Sequence, residues 1–341
     1  MTKPVEAPFR RVVPVRALAS VVAIGMAFAA APAFAAAPVP VAAQANAAAC
    51  DVACLRAALD RFMIAFAARK PGDALLAAGA RYSENGVELP FGQGLWRTID
   101  SFGSYRNSFY DARAGQAGLF ATIVENGVPQ LLALRVKLVN GRIAEAEVLI
   151  QRRQASRFLN TQGLTLKPVW AEIVPPEKRV SRDRLAEIAN AYLSALSTGS
   201  GKAVPFADEC ERHENGIQTA GARRTLPPAG ATPSGGSEIQ LMRCAQQFDS
   251  GSTVYIQSVD PRRVAVIDEA RGLVFGIFYF QHPGDIVTIR NPDGTTRAMP
   301  EAAIRPFTVP AAEMFKVVDG KIVAIEAVAV TVPYGSPSPW K

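Results

Sequence analysis

The sequence predicts an α+β protein made of two tandem copies of one unit, each a long helix packed on a curved antiparallel sheet. Three observations carry that expectation. An apolar pattern of helical period occurs twice. Runs rich in β-branched and aromatic residues are separated by Asn-Gly or Asp-Gly pairs. The chain also matches itself in order. At an offset of 130, Leu55 meets Leu185, Phe62 meets Tyr192 and Phe66 meets Leu196, and "SENG" at 83–86 meets "HENG" at 213–216. The offset grows to 157, where Asp111 meets Asp268 and Gly115 meets Gly272, and then to 179, where "VKLVNGRIAEAE" meets "FKVVDGKIVAIE". Ordered matches separated by growing insertions are the mark of a duplicated chain.

Each segment has its own justification. Residues 1–35 place Lys3, Arg10, Arg11 and Arg16 ahead of an apolar run at 17–31, closed by Ala33-Phe34-Ala35. That is the pattern of a secretory signal peptide cleaved after Ala35, and the run is shorter than the roughly 20 residues of a membrane span. Residues 36–49 are a low-complexity Ala/Pro/Val leader. "AAAC", ending at Cys50, resembles a lipoprotein cleavage box but lies well beyond the apolar run. The first domain is expected over 50–155, a linker over 156–179 and the second domain over 180–341, with insertions at 220–238 and 285–310.

Within each copy the helix comes first. Leu55, Leu59, Phe62, Met63 and Phe66 recur at three and four, as do Leu185, Ile188, Tyr192, Leu193 and Leu196, with Ser181 as an N-cap. A short helical piece is expected at 73–77, then a strand ending in the Glu-Asn-Gly turn. Hairpins follow at Asn126-Gly127, Asn140-Gly141 and Asp319-Gly320. Four cysteines in an exported chain imply disulfides; the expected pairs are Cys210 with Cys244 and Cys50 with Cys54.

Composition excludes several roles. The net charge of +7 falls to +4 without residues 1–35, which carry four positive residues and one negative. The surplus is scattered, so no nucleic-acid role is expected, and no later stretch is apolar enough for a membrane span. Two histidines 69 apart make a metal site improbable. No dinucleotide fingerprint or nucleophile elbow is present, so no cofactor is expected.

Helix, strand and then hairpins ending in "NGRIAEAE" or "DGKIVAIE" resemble the cone-shaped fold of nuclear transport factor 2. That superfamily includes SnoaL-type polyketide cyclases, ketosteroid isomerases and scytalone dehydratases. More narrowly, "RYSENGVELPFGQGLWRT" and "RRVAVIDEARGLVFGIFYFQHPG" resemble a secreted two-copy family without an assigned reaction. The resemblance implies two tandem cone-shaped domains, each with a pocket on the concave side of its sheet. It also puts Glu84 or Asn85, and Glu214 or Asn215, at a cone mouth, where ketosteroid isomerases hold an acidic base.

Two function classes follow. One is a cofactor-free enzyme of lyase, dehydratase or isomerase type, acting on a small organic or glycosidic substrate. Its expected catalytic groups are Glu214, His213 and His282, with Asn215, Tyr255, Arg263, Tyr82, Glu84 and Trp96 as substrate-binding candidates. The other is a non-catalytic protein that binds a small ligand or a partner. Each residue also has a plainer reading: Glu-Asn-Gly as a turn, the aromatics as core, Arg263 as a salt-bridged strand edge. Strand alternation sets His213 and Glu214 on opposite faces unless a bulge intervenes. The second copy, with both histidines and both insertions, is expected to carry any chemistry. The copies are expected to pack sheet face to sheet face as an internal pseudo-dimer.

Overall fold

A computed structural model describes residues 50–156, 158–221, 242–290, 294–299, 301 and 304–340. The expected signal peptide, the leader and nearly all of the first insertion lie outside these residues.

Helix α1 (Val52–Ala67) starts where the Asp51 side chain accepts from the Cys54 amide at 2.8 Å, and it buries Leu55, Leu59, Phe62, Met63 and Phe66. Pro71 and Gly72 do not continue a helix. The short helical piece expected at 73–77 is therefore a three-residue 3-10 turn at Pro71–Asp73, and the strand begins at Leu76. Strands β1 (Leu76–Glu84), β2 (Val87–Leu89), β3 (Ile99–Asp111), β4 (Gln116–Glu125), β5 (Val128–Val139) and β6 (Arg142–Gln151) form a curved six-stranded sheet in the order β2-β1-β6-β5-β4-β3.

The second half repeats this. After α2 (Pro168–Ala171), helix α3 (Arg182–Thr198) is capped by Ser181 and ends at Gly199, whose φ of +61° suits glycine. Next come β7 (Phe206–Glu214), β8 (Ile217–Ala220), α4 (Cys244–Asp249), β9 (Ser258–Asp268) and β10 (Leu273–His282). The second insertion forms a small hairpin, β11 (Thr288–Arg290) with β12 (Thr296–Ala298), before β13 (Phe307–Val318) and β14 (Lys321–Ala329). The sheet order β8-β7-β14-β13-β10-β9 is that of the first half, element for element.

Neither sheet is wholly antiparallel. β1 runs parallel to β6, and β7 parallel to β14. Three successive antiparallel pairings, from β3 to β6, return the last strand beside β1 in the same direction. The hairpin turns are as the sequence implied, with Asn or Asp and the following Gly both at positive φ at 85–86, 126–127, 140–141, 215–216 and 319–320.

Each helix covers the concave face of its own sheet, giving two separate apolar clusters. A third cluster joins the halves. Phe109 and Phe120 pack on Phe275, with ring centroids 4.6 and 5.7 Å away, and Leu149, Ile277, Met314 and Val328 lie in the same cluster. Segment 156–179 is no loose tether, since its Leu159 and Trp170 are buried there too. Disulfides join Cys50 to Cys54 and Cys210 to Cys244. The second ties β7 to α4, across the segment that holds the first insertion. Among the described residues no helix is long and apolar enough to cross a membrane.

Candidate functional site

The concave side of the second sheet encloses a cavity of about 570 Å³, within the usual range for small-molecule sites. Its walls come from β7 (Arg212, Glu214), β8 (Thr219), α4 (Gln247), the loop carrying Tyr255, β10 (Phe280, His282) and β13 (Phe307, Val309, Glu313). Ile289, Arg297 and Met299 of the β11–β12 region close one side, and Arg152 of the first half and Phe158 of the 156–179 segment stand on another.

A polar cluster built on Arg212 occupies this chamber. Arg212 Nε donates to the Tyr192 hydroxyl at 2.9 Å, Nη1 to Thr219 Oγ1 at 3.1 Å and Nη2 to Glu214 Oε2 at 2.9 Å. Glu313 Oε1 lies 3.9 Å from Arg212 Nη2 and accepts from the Tyr192 hydroxyl at 3.5 Å. Glu313 Oε2 has no hydrogen-bond partner among the described residues, and the side chain is 0% exposed. Burial pushes the Glu313 carboxyl up to about 7, against the opposing pull of Arg212. Burial likewise raises the Tyr192 and Tyr255 hydroxyls, whereas the surrounding anions keep Arg212 firmly protonated despite its own burial.

The expected site residues divide among several places. Glu214, Asn215, Tyr255 and His282 line the cavity together. Asn215 is committed to structure, because its amide accepts from Ala329 N at 2.9 Å and donates to Ala329 O at 3.1 Å. Asn85 makes the same pair with Ile150. His282 stacks on Phe307, with ring centroids 4.2 Å apart, and its Nδ1 bonds Phe280 O at 3.1 Å. Burial lowers it to about 4, so the ring is neutral near pH 7.

His213 faces away from the cavity. It meets Lys167 Nζ at 3.2 Å beside Glu211, and burial, with Lys167 next, lowers it to about 4. Arg263 lies between the halves, paired with Glu147 at 2.7 Å. In the first half, Tyr82 and Trp96 are core, packed with Phe62, Phe66 and Phe91. Glu84 accepts from Leu95 N at 2.6 Å and from Arg152 at 2.8 Å. Among the described residues no three His, Cys, Asp or Glu side chains converge as a metal site requires.

Sequence reasoning passed over Glu313, Arg212, Tyr192 and Thr219, yet the repeat contains the signal. At the same offsets the first copy has Leu134, Tyr82, Phe62 and Leu89. Four inward positions that are aliphatic or aromatic in one copy are charged or hydroxyl-bearing in the other. The first cone is packed with apolar side chains, while the second holds a polar cluster.

Residues 178–329 match a family described as a domain of unknown function (DUF8021). No curated protein matches the chain. Among solved structures, an NTF2-like protein of unknown function from Cytophaga hutchinsonii is 14% identical over 29% of this chain and 92% of its own, with a TM-score of 0.25. A candidate SnoaL-like polyketide cyclase from Shewanella denitrificans is 12% identical over 44% of this chain and 92% of its own, with a TM-score of 0.26. A candidate isomerase from Bacillus subtilis is 13% identical over 34% of this chain and 97% of its own, with a TM-score of 0.25. Overlaps this slight say nothing of a reaction.

Proposed function

We propose that the second cone binds a small organic molecule and moves a proton on it without a cofactor, as a lyase, dehydratase or isomerase does beside a carbonyl or leaving group. The observation that carries this is Glu313, a fully buried carboxyl with one unpartnered oxygen on the wall of a roomy cavity. A carboxyl near 7 is present as both acid and base at neutral pH, which suits it to take a proton from one position and return it at another. Glu214, held by Arg212, and Tyr255 are the neighbouring groups that orient the substrate. The first half serves as scaffold, and its Arg152 adds to the chamber wall beside Phe158 of the connecting segment.

The test is direct once a substrate is found. Glu313→Gln is expected to lower kcat by about 10²-fold or more, the scale of a lost general base, with the fold intact. Glu84→Gln is expected to leave turnover within a fewfold. A second reading, binding without chemistry, draws on the neutral, backbone-bonded His282 and on His213 facing elsewhere, which leave Glu313 no histidine partner. Under that reading the bound ligand is recovered unchanged by wild type and variant alike.

The two halves form an internal pseudo-dimer, a reading supported by the apolar cluster they share and by a near-repeat of polar contacts across it. Glu147 receives Arg263 of β9, and its repeat partner Glu326 receives Tyr105 of β3. Two disulfides support an exported protein, with residues 1–35 as its signal.

A further inference from the structure

The hydrogen-bonding capacity left in the chamber points to the kind of molecule it takes. All three guanidinium nitrogens of Arg212 already donate, to Tyr192, Thr219 and Glu214. The charge of Arg212 is already shared between Glu214 at 2.9 Å and Glu313 at 3.9 Å, so it is not held out for an incoming carboxylate or phosphate. Two buried oxygens of the described lining residues have no partner, the Thr253 hydroxyl and Glu313 Oε2, and of these only Glu313 can carry charge. Two carboxyls share one guanidinium here, so with both ionised the cluster carries a surplus negative charge. Arg152, at the first-half wall, is itself outnumbered, by Glu84 at 2.8 Å and Glu125 at 2.7 Å. Tyr255, Phe280 and Phe307 line the same chamber, and aromatic faces attract cations.

We propose that the cavity takes a molecule with a protonated amine on an apolar body, the ammonium bonded to Glu313 and the body lying against Tyr255, Phe280 and Phe307. The proposal rests on reading the second cone as a small-molecule site, and the proton that Glu313 takes and returns is then one of the ammonium's own. An ammonium brings up to three donors to the unpartnered oxygen and cancels the surplus charge. A neutral hydroxyl satisfies the oxygen but leaves the charge, and an anion does neither.

The groups around Glu313 set the pH dependence. Arg212 and Glu214 come from β7 and Tyr192 from α3, and Tyr255, His282 and Arg297 also line the cavity. Guanidiniums do not titrate near neutrality, burial raises both tyrosines, and His282 lies near 4. Between about pH 6 and pH 8, Glu313 is therefore the group whose charge changes.

The experiment is calorimetric titration of the full chain with three probes of one shape: naphthylmethylammonium, naphthylmethanol and naphthoate. The ammonium is expected to bind about tenfold tighter at pH 8 than at pH 6, following the ionised fraction of a group near 7. It should exceed both other probes at pH 8. Glu313→Gln is expected to abolish the pH dependence. Should that variant fail to fold, wild-type titrations in two buffers of different ionisation enthalpy read the same group, because ammonium binding near pH 6.5 must release a proton. An alcohol that binds as tightly as the ammonium, preferred binding of naphthoate, or no proton release overturns the amine class while leaving the cavity a ligand site. Binding of none of the three at millimolar concentration overturns the ligand-site reading and the amine class together.

Discussion

At Glu313 a carboxyl stands where the matching residue of the other copy is Leu134. Water would solvate the ionised form, whereas this site offers it a shared, more distant arginine. The folded protein therefore holds a proton on Glu313 up to about 7, above the ordinary carboxylate value of 4.5 that the unfolded chain retains. The stabilising proton is present below about pH 4.5 and is lost as pH rises through 7. Glu313→Gln is neutral at every pH, so its stability relative to wild type is expected to rise across that window. The gain is about 3 kcal/mol, because each tenfold difference in proton affinity between the folded and unfolded chains is worth roughly 1.4 kcal/mol. Denaturant unfolding of both proteins at about pH 4.5 and pH 8 checks this, and a difference that does not change with pH excludes it. Glu313 escaped notice in the sequence because "EMFKVV" reads as a buried strand, and inward and outward positions become distinguishable only against the other copy.

Turns and strand pairs were the most legible elements. An Asn-Gly or Asp-Gly pair between apolar runs specifies positive φ at two successive residues, a local demand that needs no knowledge of the rest of the chain. Asn215 does more than turn. Its side chain bonds both backbone groups of Ala329 and so continues the β7–β14 pairing at the last residue of β14. Asn215→Ala is expected to cost about 2–4 kcal/mol, combining a strained φ with unsatisfied buried groups. Asn215→Gly, which relieves the strain but not the lost bonds, should cost less. Both values are read from chemical denaturation, and equal losses would assign the role of Asn215 to hydrogen bonding alone. The Cys210–Cys244 bond closes a loop with a sequence separation of 34. Replacing both cysteines with alanine should cost about 3–4 kcal/mol in the chain-entropy model. The parallel pairs β1–β6 and β7–β14 were not legible, because nothing local to a strand records which distant strand lies beside it or in which direction it runs.

Across the whole molecule the decisive surface is the one between the sheets. Arg135 and Arg263 both converge on Glu147, which is 1% exposed, at 2.9 and 2.7 Å. Glu147→Ala leaves the Arg263 guanidinium without its carboxylate, while Arg135 keeps Glu145 at 2.8 Å, and is expected to cost about 3–5 kcal/mol, measured as a fall in denaturation midpoint. Protease cleavage near Pro175 and Pro176 should not release two separately folded halves, because Leu159, Trp170 and the Phe109–Phe275 contact hold both sides together. Recovery of two monomeric, folded fragments would refute the pseudo-dimer. The duplication itself was legible from ordered self-matches. The contrast between the two interiors was harder to see, since a histidine draws the eye while the polar cluster sits at positions whose counterparts in the first copy read simply as core.

Trp340 brings the end of the chain back to its first half. The indole lies over Arg81 and Arg135, with Nε1 donating to Ser83 at 2.7 Å. Together with the shared apolar cluster, this contact gives the polypeptide a clock. The first sheet is complete by residue 151, but the strands that cover its outer face extend to residue 329. At a synthesis rate of about 5–20 residues per second, Phe109, Phe120 and Leu149 wait on the order of 10–30 s for their partners. During that interval the nascent chain displays an apolar sheet face to whatever surrounds the ribosome. That face is covered only when β9, β10, β13 and β14 have been made and docked on it.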